Sequence, residues 1–367
     1  MSLTSSLKEP TSAMSRFLTG HLPDVDGLLS DYRRRLARYP APVGPVAGAG
    51  RQPEYRMLGR TIDHRLRISL GAPTGQPIKD GVVRAVLDDD CWPSPDVIST
   101  VQAAGAVLLK ELDRYESSDG QPLALNSETE DRLVRLCHVA SSFEEIFRNG
   151  EWVHGNGLGY TRPGASLDEI VDAVPPYIVD DIGQQMALAA HPGPFDSRRL
   201  LPVAQRVCGP VFDGSMHVGG ADADFILHGQ LIDCKATIRP ERIGRDALYQ
   251  LAGYLLLDYS DSYTIESVAL YLSRQGALID WHVADFLGFM GARLELSDLR
   301  AACQYALTDG AAGTPPPPED QRRPLPRPRN APRCRTRSLA ALPDLLWLRQ
   351  SALRQSGKRR QVFVCLP

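Results

Sequence analysis

The stretch GGADADFILHGQLIDCKAT, residues 219–237, decides the fold class. Two short apolar runs, 225–227 and 231–232, flank His228-Gly229, a dipeptide suited to a two-residue hairpin turn. With those two residues in the loop, Leu227 faces Gln230, Ile226 faces Leu231, Phe225 faces Ile232 and Asp224 faces Asp233. Cross-strand neighbours stand only about 5 Å apart. Two carboxylates so placed repel unless something neutralises them, and a divalent cation does so most simply. Lys235 follows Asp233 by two residues, so the strand period sets its ammonium on the same face, opposite Asp222. Ile232 and Cys234 then point the other way, into the core.

Working outward, residues 244–258 read as a helix, and SVALYLS (267–273) and ALIDWHV (277–283) as strands around Arg274-Gln275-Gly276. One helix from about 284 to 307 is expected to close this region. Upstream, a strand is expected over 211–218. Residues 127–149 read as a long helix, capped by Ser127, with Leu133, Leu136, Val139, Ala140, Phe143, Ile146 and Phe147 at helical spacing. Asn149-Gly150 should end it. Ser166 and Glu169 form a capping-box pattern opening a helix that Pro175-Pro176 interrupts and that resumes to about His191. Residues 51–126 form a mixed region, with HRLRISLG (64–71) as a strand exposing Leu66, Ile68 and Leu70 on one side, and a helix over 94–115. Residues 1–50 read as a peripheral arm and linker with one short helix over 28–39.

The 367 residues are 43% apolar and 23% charged, a globular composition that excludes collagen-like, coiled-coil and wholly disordered chains. No run approaches the roughly 18 apolar residues of a membrane span, and the N-terminus lacks the apolar core of a secretory signal, so a cytoplasmic location is expected. The seven cysteines are scattered without a CxxC pair, which argues for reduced thiols over a disulfide framework, zinc ribbon or iron–sulfur cluster. The net charge of −3 hides an asymmetry: from Glu319 onward the chain carries twelve Lys/Arg against three Asp/Glu. Residues 310–367 read as a disordered Pro/Arg-rich tail, with a transient helix over 339–354. An acidic body with a basic tail is a pattern of nucleic-acid contact.

Asp224 and Asp233-Cys234-Lys235 resemble the core motif of the PD-(D/E)xK nuclease superfamily, the restriction-endonuclease-like fold. Gln250-Leu-Ala-Gly-Tyr254 resembles the QxxxY motif of its RecB-like and Cas4-like branch. The resemblance implies an α/β fold with an α-β-β-β-α-β core, its mixed sheet flanked by helices, in a nuclease-like domain over 127–309. It also implies hydrolysis of DNA phosphodiesters with Mg²⁺ or Mn²⁺, RNA remaining open as substrate. Asp224 and Asp233 would hold the metal, with the Cys234 carbonyl as a third ligand. Lys235 would position the attacking water or offset charge, and Gln250 and Tyr254 would support Lys235 or contact the strand. The family places a Glu on the preceding helix, for which Glu145 is preferred over Glu144. Three departures stand out: no Pro precedes the first Asp, Asp222 competes with Asp224 for that position, and cluster-forming cysteines are lacking.

Without a GxxxxGK[ST] loop, any helicase or defence-system partner would be a separate chain. A catalytically inactive scaffold of the same fold is the alternative. Arg239, Arg242, Arg245 and, more weakly, Arg274 are candidate phosphate contacts. The glycine-rich segment 154–159 reads as a turn and His217 as a structural or surface histidine.

Overall fold

Five strands form one mixed sheet in the order β1 (Arg206–Cys208), β2 (Phe225–Leu227), β3 (Gln230–Lys235), β4 (Ser267–Leu272) and β5 (Ala277–His282). They belong to a computed structural model that describes residues 2–46, 52–72, 75–87, 92, 94–115, 120–149, 158, 161–190 and 193–308. The tail and most of segment 154–159 lie outside the described residues.

The β2–β3 hairpin has the register expected from its turn: Phe225 pairs with Ile232, Ile226 with Leu231 and Leu227 with Gln230. His228 and Gly229 both take positive φ, 50° and 72°, the twist a two-residue hairpin loop needs. β3 and β4 are parallel and are joined through α10 (Arg245–Leu257), a crossover of the kind parallel strands require. β4 and β5 are antiparallel about a turn containing Gly276 at φ +60°, where a Cβ would lie 2.8 Å from the Leu188 carbonyl.

Period-2 alternation gives the sheet two apolar faces, each covered by helices. Phe225, Leu227, Ile232, Ala269 and Tyr271 pack into one buried cluster. Its helical cover comes from α4 (Tyr55–Ser69), α5 (Gly75–Leu87), α6 (Pro95–Asp113), α7 (Ser127–Asn149), α8 (Leu167–Asp172) and α9 (Pro176–Ala189). Ile226, Leu231, Val268, Leu270, Ile279 and Trp281 pack into the other. There the cover is α1 (Leu3–Lys8), α2 (Ala13–His21), α3 (Asp26–Leu36), α10, α11 (Val283–Phe289) and α12 (Leu296–Thr308). No described helix is long and apolar enough to cross a membrane.

Several local expectations are corrected. Residues 64–69 of HRLRISLG are the last turns of α4, and Leu70 and Gly71 end it. The alternation is the tail of a helical pattern that begins at Leu58, Ile62 and Leu66, all fully buried, and an eight-residue window does not reveal it. The first 36 residues are no peripheral arm. Leu3, Phe17, Leu18, Leu22, Leu28 and Tyr32 are buried in the second cluster. The Tyr32 hydroxyl donates to the Pro240 carbonyl (2.8 Å), and the Tyr249 hydroxyl donates to the Leu22 carbonyl (3.0 Å). In place of a strand over 211–218 there is a 3₁₀ turn, Ser215–Val218, with a single bridge between Val211 and Asp222. The strand beside β2 lies upstream, at Arg206–Cys208. The closing helix is two helices, α11 and α12, separated near Gly291, whose φ of +78° no helix interior accepts. The Asn126 side chain, one residue before Ser127, caps α7 by accepting from the Thr129 N–H at 2.9 Å. The capping box of Ser166 and Glu169 forms as expected.

Candidate functional site

The hairpin carries the first group of side chains. The Gly209 N–H donates to the Asp224 carbonyl (2.9 Å) and extends the β1–β2 pairing through that residue. The Asp224 carboxylate turns toward β3 and accepts from the Cys234 N–H at 2.6 Å. Lys235 Nζ lies 2.6 Å from Asp233 Oδ2. It also donates to Gln250 Oε1 (2.9 Å); Gln250 Nε2 donates to the Tyr254 hydroxyl (2.7 Å), which donates to the Asp222 carbonyl (2.8 Å). Gln250 and Tyr254 reach the strands together because i and i+4 share one face of α10. In an extended strand the N–H and C=O of one residue point to the same edge, so the Cys234 carbonyl shares the edge that faces Asp224. The Asp222 side chain is 64% exposed and pairs with Arg148 at 3.4 Å, so Asp224 is the inner acid and Asp222 the rim acid.

A second group comes from α4 and was missed in the sequence. Arg56, Arg60, Asp63 and Arg67 line the same cavity, of about 470 Å³, as Asp224, Asp233 and Lys235. Only the helical period brings these four to one side, so the strand assignment at 64–71 concealed them. Arg67 Nε donates to Asp63 Oδ2 (2.7 Å), and its guanidinium lies over the Phe225 ring. Gly209, at φ +63°, leaves room for it: a Cβ there would stand 2.7 Å from Arg67 Nη1. Asp63 Oδ1 is buried without a hydrogen-bond partner among the described residues. Ser2, Leu3 and Thr4 of the first helical segment also line the cavity, which nothing in the sequence signalled.

The electrostatics follow from this crowding. Burial pushes the Asp224 carboxyl well up; the charges of Asp63 and Asp233 push the same way, against Arg67 and the Cys234 N–H. Burial works to discharge Lys235, but the Asp233 charge and hydrogen bond, then Asp224, outweigh it and hold the ammonium charged. Burial, aided by the three nearby aspartates, raises the Cys234 thiol and keeps it neutral.

Glu144, not the preferred Glu145, reaches the cavity wall. Burial would raise the Glu144 carboxyl, but its hydrogen bond to His64 (3.1 Å), with the charges of His64, Arg148 and Arg60, takes it well below the usual range. Glu145 is 1% exposed and pairs with Arg56 (2.5 Å) and Arg60.

Among the described residues no group of three or more His, Cys, Asp or Glu side chains stands ready to hold a metal ion. The donor chemistry nevertheless suits a hard cation. Asp224 and Asp233 are adjacent carboxylates, and the unpartnered Asp63 oxygen lies in the same cavity. Mg²⁺ is commonly held by one or two carboxylates and keeps several waters.

The remaining candidates separate. Arg239, Arg242 and Arg245 line a neighbouring cavity that shares Lys235 and Arg56 with the first. Arg274 is fully buried, bound to Asp181 and to the Ala236 and Val43 carbonyls, so it is a structural tie and no phosphate contact. His217 sits exposed on its 3₁₀ turn beside the Tyr259 hydroxyl (3.2 Å) and does not line the cavity. Comparison of the chain with protein-family models, curated proteins and solved structures finds no match in any of the three.

Proposed function

We propose that this protein is a metal-dependent nuclease of the PD-(D/E)xK type that hydrolyses DNA phosphodiester bonds. The observation that carries the proposal is the convergence of Asp224, Asp233 and Lys235 in one cavity, with Gln250 bound to Lys235. The order α7, β1, β2, β3, α10, β4, with α8 and α9 inserted between α7 and β1, supports the same assignment.

Asp224 and Asp233 would hold Mg²⁺ or Mn²⁺, the Cys234 carbonyl lying at the same edge. When bound, the cation polarises the scissile phosphate and lowers the pKa of a coordinated water. Lys235, kept charged by Asp233, presents an ammonium where negative charge grows on the phosphate oxygens. Gln250 orients that ammonium by accepting a hydrogen bond from it, and Tyr254 fixes the Gln250 amide in turn. Arg67 restrains Asp63 beside the acid pair.

The test is cleavage of single- and double-stranded DNA by wild type, Asp233→Asn and Lys235→Met in Mg²⁺ or Mn²⁺, with circular dichroism verifying the fold. Each variant should lose at least about a hundredfold in rate, the scale of removing one preorganised charge partner. Equal cleavage by wild type and both variants removes the assignment.

One observation favours a second reading, a binding subunit without catalysis: Lys235 already neutralises Asp233, and no three-donor cluster is formed among the described residues. Calorimetric titration with Mn²⁺ separates the two. A scaffold takes up no ion in a manner that depends on Asp224 and Asp233.

A further inference from the structure

The cavity next to the candidate site has the chemistry of a polyanion track. It measures about 890 Å³ and is continuous with the site through Arg56, Gly59, Cys234 and Lys235. Five basic side chains line it, Arg56, Lys235, Arg239, Arg242 and Arg245, against one acid, Asp246. Arg56 and Lys235 already have carboxylate partners in Glu145 and Asp233. Arg239, Arg242 and Arg245 have none among the described residues and are exposed, the Arg245 guanidinium lying over the Tyr249 ring. Three guanidinium groups without a carboxylate partner, set within seven residues, repel one another, and an anionic ligand relieves that repulsion.

The rest of the wall decides which anion. Tyr55, 41% exposed, and the apolar side chains of Ile238 and Ile243 line the same cavity. An isolated phosphate has no use for them. A single nucleic-acid strand does: its backbone meets the arginines while unpaired bases lie against the aromatic and apolar surface. The bases of a duplex are already stacked on one another and offer no free face to Tyr55.

We infer that this cavity binds a single DNA strand flanking the bond presented to Asp224, Asp233 and Lys235, its phosphates on Arg239, Arg242 and Arg245 and a base on Tyr55. The inference deepens the nuclease proposal and rests on it for the register of the strand, but the binding is tested without cleavage.

The experiment uses the full chain in EDTA and a fluorescein-labelled twelve-nucleotide single strand, followed by anisotropy over a salt series. The groove variant is Arg239→Glu, Arg242→Glu, Arg245→Glu. A charge-matched control reverses Arg16, Arg114 and Arg293, exposed residues that line neither cavity. The groove variant should bind at least tenfold more weakly than the control, with a salt slope lower by about two, as expected for three lost phosphate contacts on a single strand. Tyr55→Ala should weaken single-strand binding and leave affinity for a hairpin duplex of equal charge unchanged. Equal losses in the groove variant and the control overturn the inference, as does tighter binding of the duplex. Arginine-dependent binding without any cleavage in Mg²⁺ leaves the groove standing and removes the nuclease assignment. Cleavage that persists at full rate in the groove variant does the reverse.

Discussion

Replacing Arg274 by Met removes a guanidinium that is fully buried. Its Nη2 donates to Asp181 Oδ2 (2.9 Å), Nη1 also binds Asp181, and Nε donates to the Ala236 carbonyl (2.8 Å). Asp181, itself 1% exposed, keeps only the Gln185 amide as a neutral donor at 2.8 Å. Stranding such a carboxylate costs about 3–5 kcal/mol, and the two backbone carbonyls that lose a charged donor add roughly 1 kcal/mol more. Total stabilities are only about 5–15 kcal/mol, so the loss is large. For a chain of this size it lowers Tm by about 10 °C. Urea unfolding followed by tryptophan fluorescence measures it as a shift in midpoint with the slope unchanged. The double variant Arg274→Met, Asp181→Leu should recover most of the loss, because an apolar pair of similar volume replaces a buried ion pair nearly neutrally. A single variant within 1 kcal/mol of wild type, or a double variant as unstable as the sum of the singles, would refute the reasoning.

Burial pushes the His138 imidazole, hydrogen-bonded to the Thr61 hydroxyl at 3.1 Å, down to about 4. Its stabilising contribution is complete above the unfolded value near 6.5 and is lost as pH falls from there toward 4, since the unfolded chain then binds the extra proton; acidification from pH 7 to pH 5 should cost about 2 kcal/mol. His138→Gln should flatten that dependence, and parallel stability–pH curves would count against it. Gly81→Ala places a Cβ 2.2 Å from the Phe143 carbonyl, so α5 and α7 must part; a loss of about 2 kcal/mol or more is expected in thermal unfolding. Gln250→Leu should keep the fold and reduce cleavage at least about tenfold through a lower kcat with KM little changed, since it frees Lys235 without touching the acids.

The β2–β3 hairpin was legible residue by residue because a two-residue turn leaves one register, and that register put Asp224, Asp233 and Lys235 together. Gln250 and Tyr254 were singled out through the resemblance to the QxxxY motif, and their i, i+4 spacing on α10 turns both toward the strands. What stayed hidden came from elements whose place is set only by tertiary packing. Asp63 and Arg67 sit on a helix whose visible end alternates like a strand. The choice between Glu144 and Glu145 turns on which of two adjacent side chains faces the cavity, and the apolar stripe of α7 leaves both at its margin. Arg274 is an arginine in a turn, which suggests a surface; its burial depends on Asp181 from a helix 93 residues earlier.

The seating of the first helices has a consequence for how the chain is made. Tyr32 closes on Pro240, 208 residues later, and Leu22 on Tyr249, 227 residues later. Synthesis proceeds at roughly 5–20 residues per second, so Leu18, Leu22 and Leu28 leave the ribosome about ten seconds to three-quarters of a minute before the surface that shelters them exists. During that interval the nascent segment must be shielded by other means, and its capture by chaperones should peak before α10 emerges and fall once it has.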